Sequence, residues 1–222
     1  MKYKLVVCDM DGTLLTSSHK ISEYTANIIK QIENNGVKFI IATGRPYLDA
    51  KFYRDSLKLK SFLITSNGAR AHNEENKPIV IENIQKDLVK KLLSYNVGTD
   101  IHRNIYLDDK WIIEYEIEGL AEFHHESGYN FNIDNLDKYK NEEAAKVFFL
   151  GKDKDIENLE KNMKKNFQND LSITISSPFC LEFMKKGVNK AETLKKVLKI
   201  LNIKPEEVIA FGDSMNDYEM LS

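Results

Sequence analysis

Two carboxylates two residues apart, Asp9 and Asp11, close an apolar run that begins at Lys4. In extended chain, residues i and i+2 face the same side. One such acid can attack an electrophile while the other handles protons. Gly12 follows, permitting a tight exit of the chain and bringing backbone N–H groups toward phosphoryl oxygens. Further along stand Thr43-Gly-Arg45, Ser66-Asn67-Gly68-Ala69, Lys190 and Gly212-Asp213-Ser-Met-Asn216-Asp217. A site that gathered Asp9, Asp11, Asp213 and Asp217 would repel itself strongly unless a cation sat among them. Oxygen donors without histidine or thiolate point to Mg2+, which keeps waters and a substrate phosphate in its shell. A carboxylate attacking a phosphate dianion meets charge repulsion, which the metal and a lysine would offset.

The elements that must position these residues are legible as an α/β rhythm. Lys4 to Asp9 reads as a strand buried on both faces. Ser22 can cap a helix with Ile28, Ile29 and Ile32 as its apolar stripe and Gly36 at its end. Val37 to Ala42 is a second buried strand, and Pro46 stands near the first turn of the next helix. Phe62 to Thr65 is a third strand, and the spacing predicts a right-handed parallel sheet. After a long middle stretch the rhythm returns. A helix over Asn189 to Leu201 carries Leu194, Val197, Leu198 and Leu201 on one face, and Val208 to Phe211 is a fourth strand. Ligands of open parallel sheets bind beyond the carboxyl ends of the strands, where Asp9, Asp11, Thr43, Ser66, Asn67, Asp213 and Asp217 fall, and Lys190 begins the helix before the fourth strand.

The middle differs. Helices over Lys86 to Tyr95 and Asp155 to Asn166 mix with strands that follow one another closely. Ile105 to Leu107 and Trp111 to Ile117 flank the turn-like Asp108-Asp109-Lys110, and Leu171 to Ile175 and Cys180 to Met184 flank Ser176-Ser-Pro178. Short turns between strands predict antiparallel pairing. The expected organisation is therefore a Rossmann-like parallel-sheet core, residues 1–82 and 186–222, interrupted by an inserted α+β domain, residues 83–185.

Asp9-Met-Asp-Gly-Thr13-Leu-Leu resembles the first motif of the haloacid dehalogenase-like phosphatase superfamily. Thr43-Gly-Arg45 resembles its second motif, Gly187-Val-Asn-Lys190 its third, and Gly212-Asp213-Ser-Met-Asn216-Asp217 its fourth. The large insert and the Ser66-Asn67-Gly68-Ala69 loop are similar to the Cof-type branch. The resemblance implies a Mg2+-dependent phosphatase acting through a phosphoaspartate on small phosphomonoesters such as sugar phosphates or phosphorylated cofactors, with the insert as a cap that selects the substrate. It implies Asp9 as nucleophile and metal ligand. Asp11 would be the acid and then the base, its backbone carbonyl also on the metal. Thr43, Gly44 and Lys190 would hold the phosphoryl group, with Asn67 and Arg45 near it. Asp213 would ligate the metal directly, and Asn216 and Asp217 would orient its waters or the lysine. Rival readings on the same residues are a phosphotransferase or phosphomutase, a non-catalytic phospho-accepting switch, and a binding-only descendant.

Composition narrows the field. A formal net charge of -2 gives no global attraction to nucleic acid or anionic membrane, and no aromatic-basic cluster of a nucleic-acid site appears. Two cysteines, Cys8 and Cys180, exclude a disulfide framework and fit a reducing compartment. No apolar stretch approaches the roughly 20 residues needed to cross a bilayer. A cytoplasmic protein, monomeric or weakly dimeric, is expected. His124-His125 beside Glu122 and Glu126 reads as a solvated helix or loop, and Trp111 with Tyr106, Tyr115 and Phe123 reads as the core of the insert. The chain ends at Ser222, five residues after Asp217, where relatives continue. A core truncated at its C-terminal end, with weaker activity or lower stability, is the expectation there.

Overall fold

The computed structural model describes residues 2–108 and 110–222, with the backbone alone for Glu122 and Phe123. Asp109 of the predicted turn and the side chains of Glu122 and Phe123 thus lie outside the described residues. The chain divides into two compact units. One runs to Ile81, takes in Glu126–Gly128 and resumes at Asn189–Ser222; the other holds Glu82–His125 and Tyr129–Val188.

The first unit is built on a six-stranded sheet. Its strands are β1 (Leu5–Cys8), β2 (Lys38–Ala42), β3 (Leu63–Thr65), β4 (Arg70–His72), β5 (Pro78–Ile81) and β12 (Val208–Phe211), in the order β12-β1-β2-β3-β4-β5. The first four are parallel, and β4 and β5 add an antiparallel edge. Both faces of β1, β2 and β3 are covered, which explains their unbroken apolar runs. Val6 and Cys8 join Phe39 and Ile41 on one face, under Ile29 of α1 (Glu23–Asn34) and Ala50 and Tyr53 of α2 (Tyr47–Ser56). Leu5 and Val7 join Ile40 and Ala42 on the other, with Ala191, Leu194, Val197 and Leu198 of α5 (Lys190–Leu201) and Met220 of α6 (Tyr218–Leu221). Each such aliphatic side chain contributes about 1.5–3 kcal/mol of transfer free energy when fully buried.

The helix ends follow the local signals. Ser22 Oγ accepts from Thr25 N at 3.0 Å, Asn189 Oδ1 accepts from Glu192 N at 2.8 Å, and Pro46 precedes α2. One expectation is corrected. Ile28 is 36% exposed, whereas Ile29 is buried, because neighbouring residues sit about 100° apart on a helix and cannot share a narrow stripe.

The second unit carries its own sheet and core. β6 (His102–Tyr106), β7 (Trp111–Ile113), β8 (Phe131–Ile133), β9 (Lys146–Leu150), β10 (Leu171–Ser177) and β11 (Cys180–Lys185) follow the order β10-β11-β9-β6-β7-β8. Every pairing is antiparallel except β7 with β8. Val89, Leu92 and Leu93 of α3 (Lys86–Leu93) and Ile156, Leu159 and Met163 of α4 (Asp153–Phe167) pack against Ile105, Val147, Phe149, Leu181 and Phe183. Tyr106, Trp111, Ile113, Phe148 and Cys180 form a smaller cluster. The expected aromatic core holds for Trp111 and Tyr106, but Tyr115 is 47% exposed. The solvated reading of the histidine pair holds for His125 alone. His124 is buried, its ring edge-on to Trp111 at 5.1 Å, because the chain before Tyr129 folds it onto that cluster. No helix among the described residues is long and apolar enough to cross a membrane.

Candidate active site

The carboxyl ends of β1, β2, β3 and β12 bring the polar residues of the first unit to one edge. Asp9 continues β1, its N–H donating to the Phe211 carbonyl of β12 at 3.0 Å. The chain then turns through a loop in which Gly12 has φ +80°. A Cβ at Gly12 would lie 2.3 Å from Asp213 Oδ2. Glycine is needed twice over at this point, for the left-handed backbone and for the close approach of Asp213. Thr13 Oγ1 donates to Asp213 Oδ1 at 3.0 Å, tying the two loops together.

Lys190 opens α5 and is fully buried. Its ammonium donates to Asp9 Oδ1 at 2.5 Å and to Asp217 Oδ1 at 2.7 Å. Asp217 uses its other oxygen, Oδ2, to accept from the N–H groups of Asp213 and Ser214, each at 3.2 Å. That single side chain therefore fixes the loop after β12 and half of the lysine's charge. Burial pushes the Asp9 carboxyl up to about 6; Lys190 pulls against that shift, and the negative charge of Asp217 adds to it. Burial also works against the Lys190 ammonium, but Asp9 and Asp217 outweigh it and hold its pKa above the ordinary lysine value.

Asp9, Asp213 and Asp217 present oxygens that all lie within 4.8 Å of one another, the group with metal-ligand spacing among the described residues. The donors are all hard oxygens, and the Gly12 cradle leaves Asp213 room beside them. Such a set fits a magnesium-sized divalent cation better than a transition metal.

Asp11 departs from the expectation that four carboxylates gather. Its side chain turns to Arg45, which donates through Nε to Oδ2 at 2.8 Å and through Nη2 to Oδ1 at 2.6 Å. The chain through Asp9-Met-Asp-Gly is a tight loop rather than extended strand, so the alternation that aligns i with i+2 does not apply. Arg45 in turn lies with its guanidinium on two carboxylates, those of Asp11 and Asp49.

Thr43 is fully buried at the end of β2, its Oγ1 accepting from Arg45 N at 3.1 Å. Gly44 lies against Asn67, whose Oδ1 would be 3.0 Å from a Cβ there. After β3, Ser66, Asn67 and Gly68 all have positive φ, at 49°, 53° and 93°. Each non-glycine in that region costs roughly 1–2 kcal/mol. Hydrogen bonds to β2's exit hold it: Ser66 N donates to Arg45 O at 2.8 Å and Asn67 N to Thr43 O at 3.0 Å. Asn216 Nδ2 donates to Asn67 Oδ1 at 3.1 Å, linking this loop to the one after β12.

A sequence profile of the haloacid dehalogenase-like hydrolases matches residues 6–222. The chain belongs to that family. An HMP-PP phosphatase of Serratia proteamaculans is 32% identical over 221 residues, spanning 99% of this chain and 81% of that protein. A haloacid dehalogenase-like hydrolase from B. subtilis superimposes with a TM-score of 0.87 at 24% identity, covering 98% of this chain and 86% of the other. A sugar phosphatase of HAD subclass IIB superimposes with a TM-score of 0.83 at 22% identity, covering 98% and 84%. The fold of these two structures is therefore the fold of this enzyme.

Asp49 and His19 escaped the sequence reading, and Thr13 entered it only as a letter of the first motif, with no role. Asp49 sits in the first turn of α2, where an acid reads as a partner of the helix dipole. Its spacing of four from Arg45 gave no helix-face signal, because Arg45 stands before the capping Pro46 and outside the helix.

Proposed function

We propose that this hydrolase is a Mg2+-dependent phosphatase that passes the phosphoryl group of a small phosphomonoester through Asp9. The observation that carries the reading is the buried Lys190 shared between Asp9 and Asp217, with Asp213 beside them. Three acids and one lysine leave a net negative site that only a further cation balances. Asp9 and Asp213, with the Asp11 carbonyl, would hold that cation. Asp217 has both oxygens engaged, which suits a supporting place, and Asn216 stands on Asn67 behind the loop. When bound, Mg2+ supplies charge neutralisation for the attacking carboxylate and the phosphoryl oxygens.

The residues divide the reaction between them. Asp9 attacks phosphorus, and the bond from phosphorus to the ester oxygen breaks as Asp11 gives that oxygen its proton. Asp11 then takes a proton from water, whose oxygen attacks the phosphoaspartate. The bond between phosphorus and the Asp9 oxygen breaks, and phosphate leaves with the carboxylate restored. Lys190 offsets the negative charge at Asp9 throughout. The Thr43 hydroxyl accepts from Arg45 N, so its proton is directed to another acceptor, and a phosphoryl oxygen suits it. Arg45, engaged by two carboxylates, acts on Asp11 in preference to the phosphate.

The inserted unit, Glu82–His125 with Tyr129–Val188, is inferred to select the organic part of the substrate. The 32% identity to HMP-PP phosphatases over nearly the whole chain makes HMP-PP the first compound to assay, with sugar phosphates beside it. Phosphate release is measured with magnesium or EDTA, for the wild type and Asp9→Asn. Magnesium-dependent release that vanishes in Asp9→Asn is expected. Release that persists in the variant, or no release from any ester by folded protein, counts against the proposal.

A further inference from the structure

Asp11 must sit first at the leaving oxygen and then at the attacking water, and the structure gives its carboxylate a holder. The Arg45 fork takes both Asp11 oxygens, at 2.8 and 2.6 Å, while its third edge, Nη1, donates to Asp49 Oδ2 at 2.9 Å. The Arg45 and Asp49 side chains are 1% and 0% exposed, against 33% for Asp11. The guanidinium also lies over the Tyr53 ring, 5.4 Å from its centroid. Tyr53 OH donates to the His19 carbonyl at 3.0 Å, and His19 Nδ1 lies 3.4 Å from Arg45 Nη2.

The arrangement is asymmetric in a telling way. A buried guanidinium needs one carboxylate to balance its charge, and Asp49 supplies it from inside the protein. The second carboxylate is therefore not required for burial, and it is the half-exposed one at the site. A planar guanidinium pinned on one edge presents its remaining donors in a fixed direction. A lysine would present a point charge with no such direction.

We propose that Arg45 and Asp49 are positioning residues for Asp11, with Asp49 fixing the guanidinium plane and Arg45 fixing the carboxylate. The inference rests on Asp11 being the proton donor and acceptor of the phosphatase reaction. Neither residue touches the phosphoryl group in this account, which sets it apart from a phosphate-binding arginine.

The test compares Arg45→Lys and Asp49→Asn with the wild type on two substrates, an alkyl phosphate and p-nitrophenyl phosphate. The alkyl ester needs its leaving oxygen protonated, whereas the nitrophenolate departs without a proton. Misplacing Asp11 is expected to lower kcat/KM at least about tenfold on the alkyl ester and less than about threefold on the aryl ester, a fraction of what general acids contribute. Melting temperatures measured alongside report any loss of fold. Equal losses on both esters, or a rise in KM with kcat unchanged, would overturn the proposal and make Arg45 a substrate ligand. A second readout is independent of turnover: the Arg45 Nε–H resonance is expected to be protected from exchange in the wild type and to lose protection in Asp11→Asn and in Asp49→Asn. An unprotected wild-type signal, or one unchanged in both variants, would overturn it as well. A wild type that turns over neither ester counts against the phosphatase reading itself, and the Nε–H signal then decides the clamp alone.

Discussion

At the scale of single residues, the site is governed by one buried lysine facing two buried acids. Replacing Lys190 by Met keeps the volume but leaves Asp9 and Asp217 unpaired, at a cost of about 3–5 kcal/mol. Urea unfolding is expected to show that loss, partly recovered at acidic pH where Asp9 is protonated. In metal-free wild type, Asp9 titrates near 6 when folded, against an ordinary value of 3.8. Its folded pKa is the higher one, so the native state binds more protons. Its contribution to stability is greatest below the unfolded value and falls as pH rises toward 6, by on the order of 2–3 kcal/mol. A cation that binds the ionised cluster reverses this, so the rise in melting temperature on adding Mg2+ should be larger at pH 7.5 than at pH 5. An equal rise at both values contradicts a cluster centred on Asp9. The gathering of Asp9, Asp213 and Asp217 was legible because they follow core strands, and Lys190 because it opens the helix before the fourth of them. The pairing of Asp11 with Arg45 was not, because it depends on the loop conformation at Gly12 and on Asp49, whose acid resembles any first-turn carboxylate.

At the scale of elements, the loops carry as much information as the strands. Gly12→Ala would place a methyl group 2.3 Å from Asp213 Oδ2 in a left-handed conformation. Loss of Mg2+ affinity by at least tenfold is expected in a titration, with about 1–2 kcal/mol of stability lost to backbone strain. Gly68 matters differently. With φ +93°, its Cβ would lie 2.3 Å from the Asn189 carbonyl at the start of α5, so Gly68→Ala should push on the helix that carries Lys190. Slower turnover with a lower melting temperature is the expected result; an unaffected variant would show that the loop gives way. The doubly covered strands β1, β2 and β3 announce themselves as short apolar runs, and so does β12, although it is a half-exposed edge strand. The β4–β5 hairpin was missed because β4 reads Arg-Ala-His. Its polar side chains are buried, and the turn that follows is held by Asn73 Oδ1, which accepts from Glu75 N and Lys77 N. β8, Phe-Asn-Ile among turn residues, was missed for want of a clean period, whereas β9 offered the apolar run Val147 to Leu150, a signal that was left unread. β7 stops at Ile113, four residues short of the expected strand end.

At the scale of the whole molecule, two sheets hold two separate cores. The expected division into core and insert, with its boundaries, was drawn from the alternation of α/β and α+β segments, and the role of the inserted unit rests on resemblance. Phe149 is fully buried in the second unit's core, so Phe149→Ala should cost about 3–5 kcal/mol there. Urea unfolding followed by probes in each unit is expected to show an early transition in the second unit, with that of the first little changed. A single transition shifted as a whole would show that the two cores unfold as one. The central claim, however, concerns one bond. During turnover of a small phosphomonoester with Mg2+, rapid acid quench followed by borohydride reduction converts an acyl phosphate to an alcohol at the acid that carried it. Peptide mass spectrometry is predicted to find that alcohol at position 9 in the wild type and not in Asp9→Asn. Reduction at Asp11, or at no carboxylate while phosphate is being released, would contradict the account.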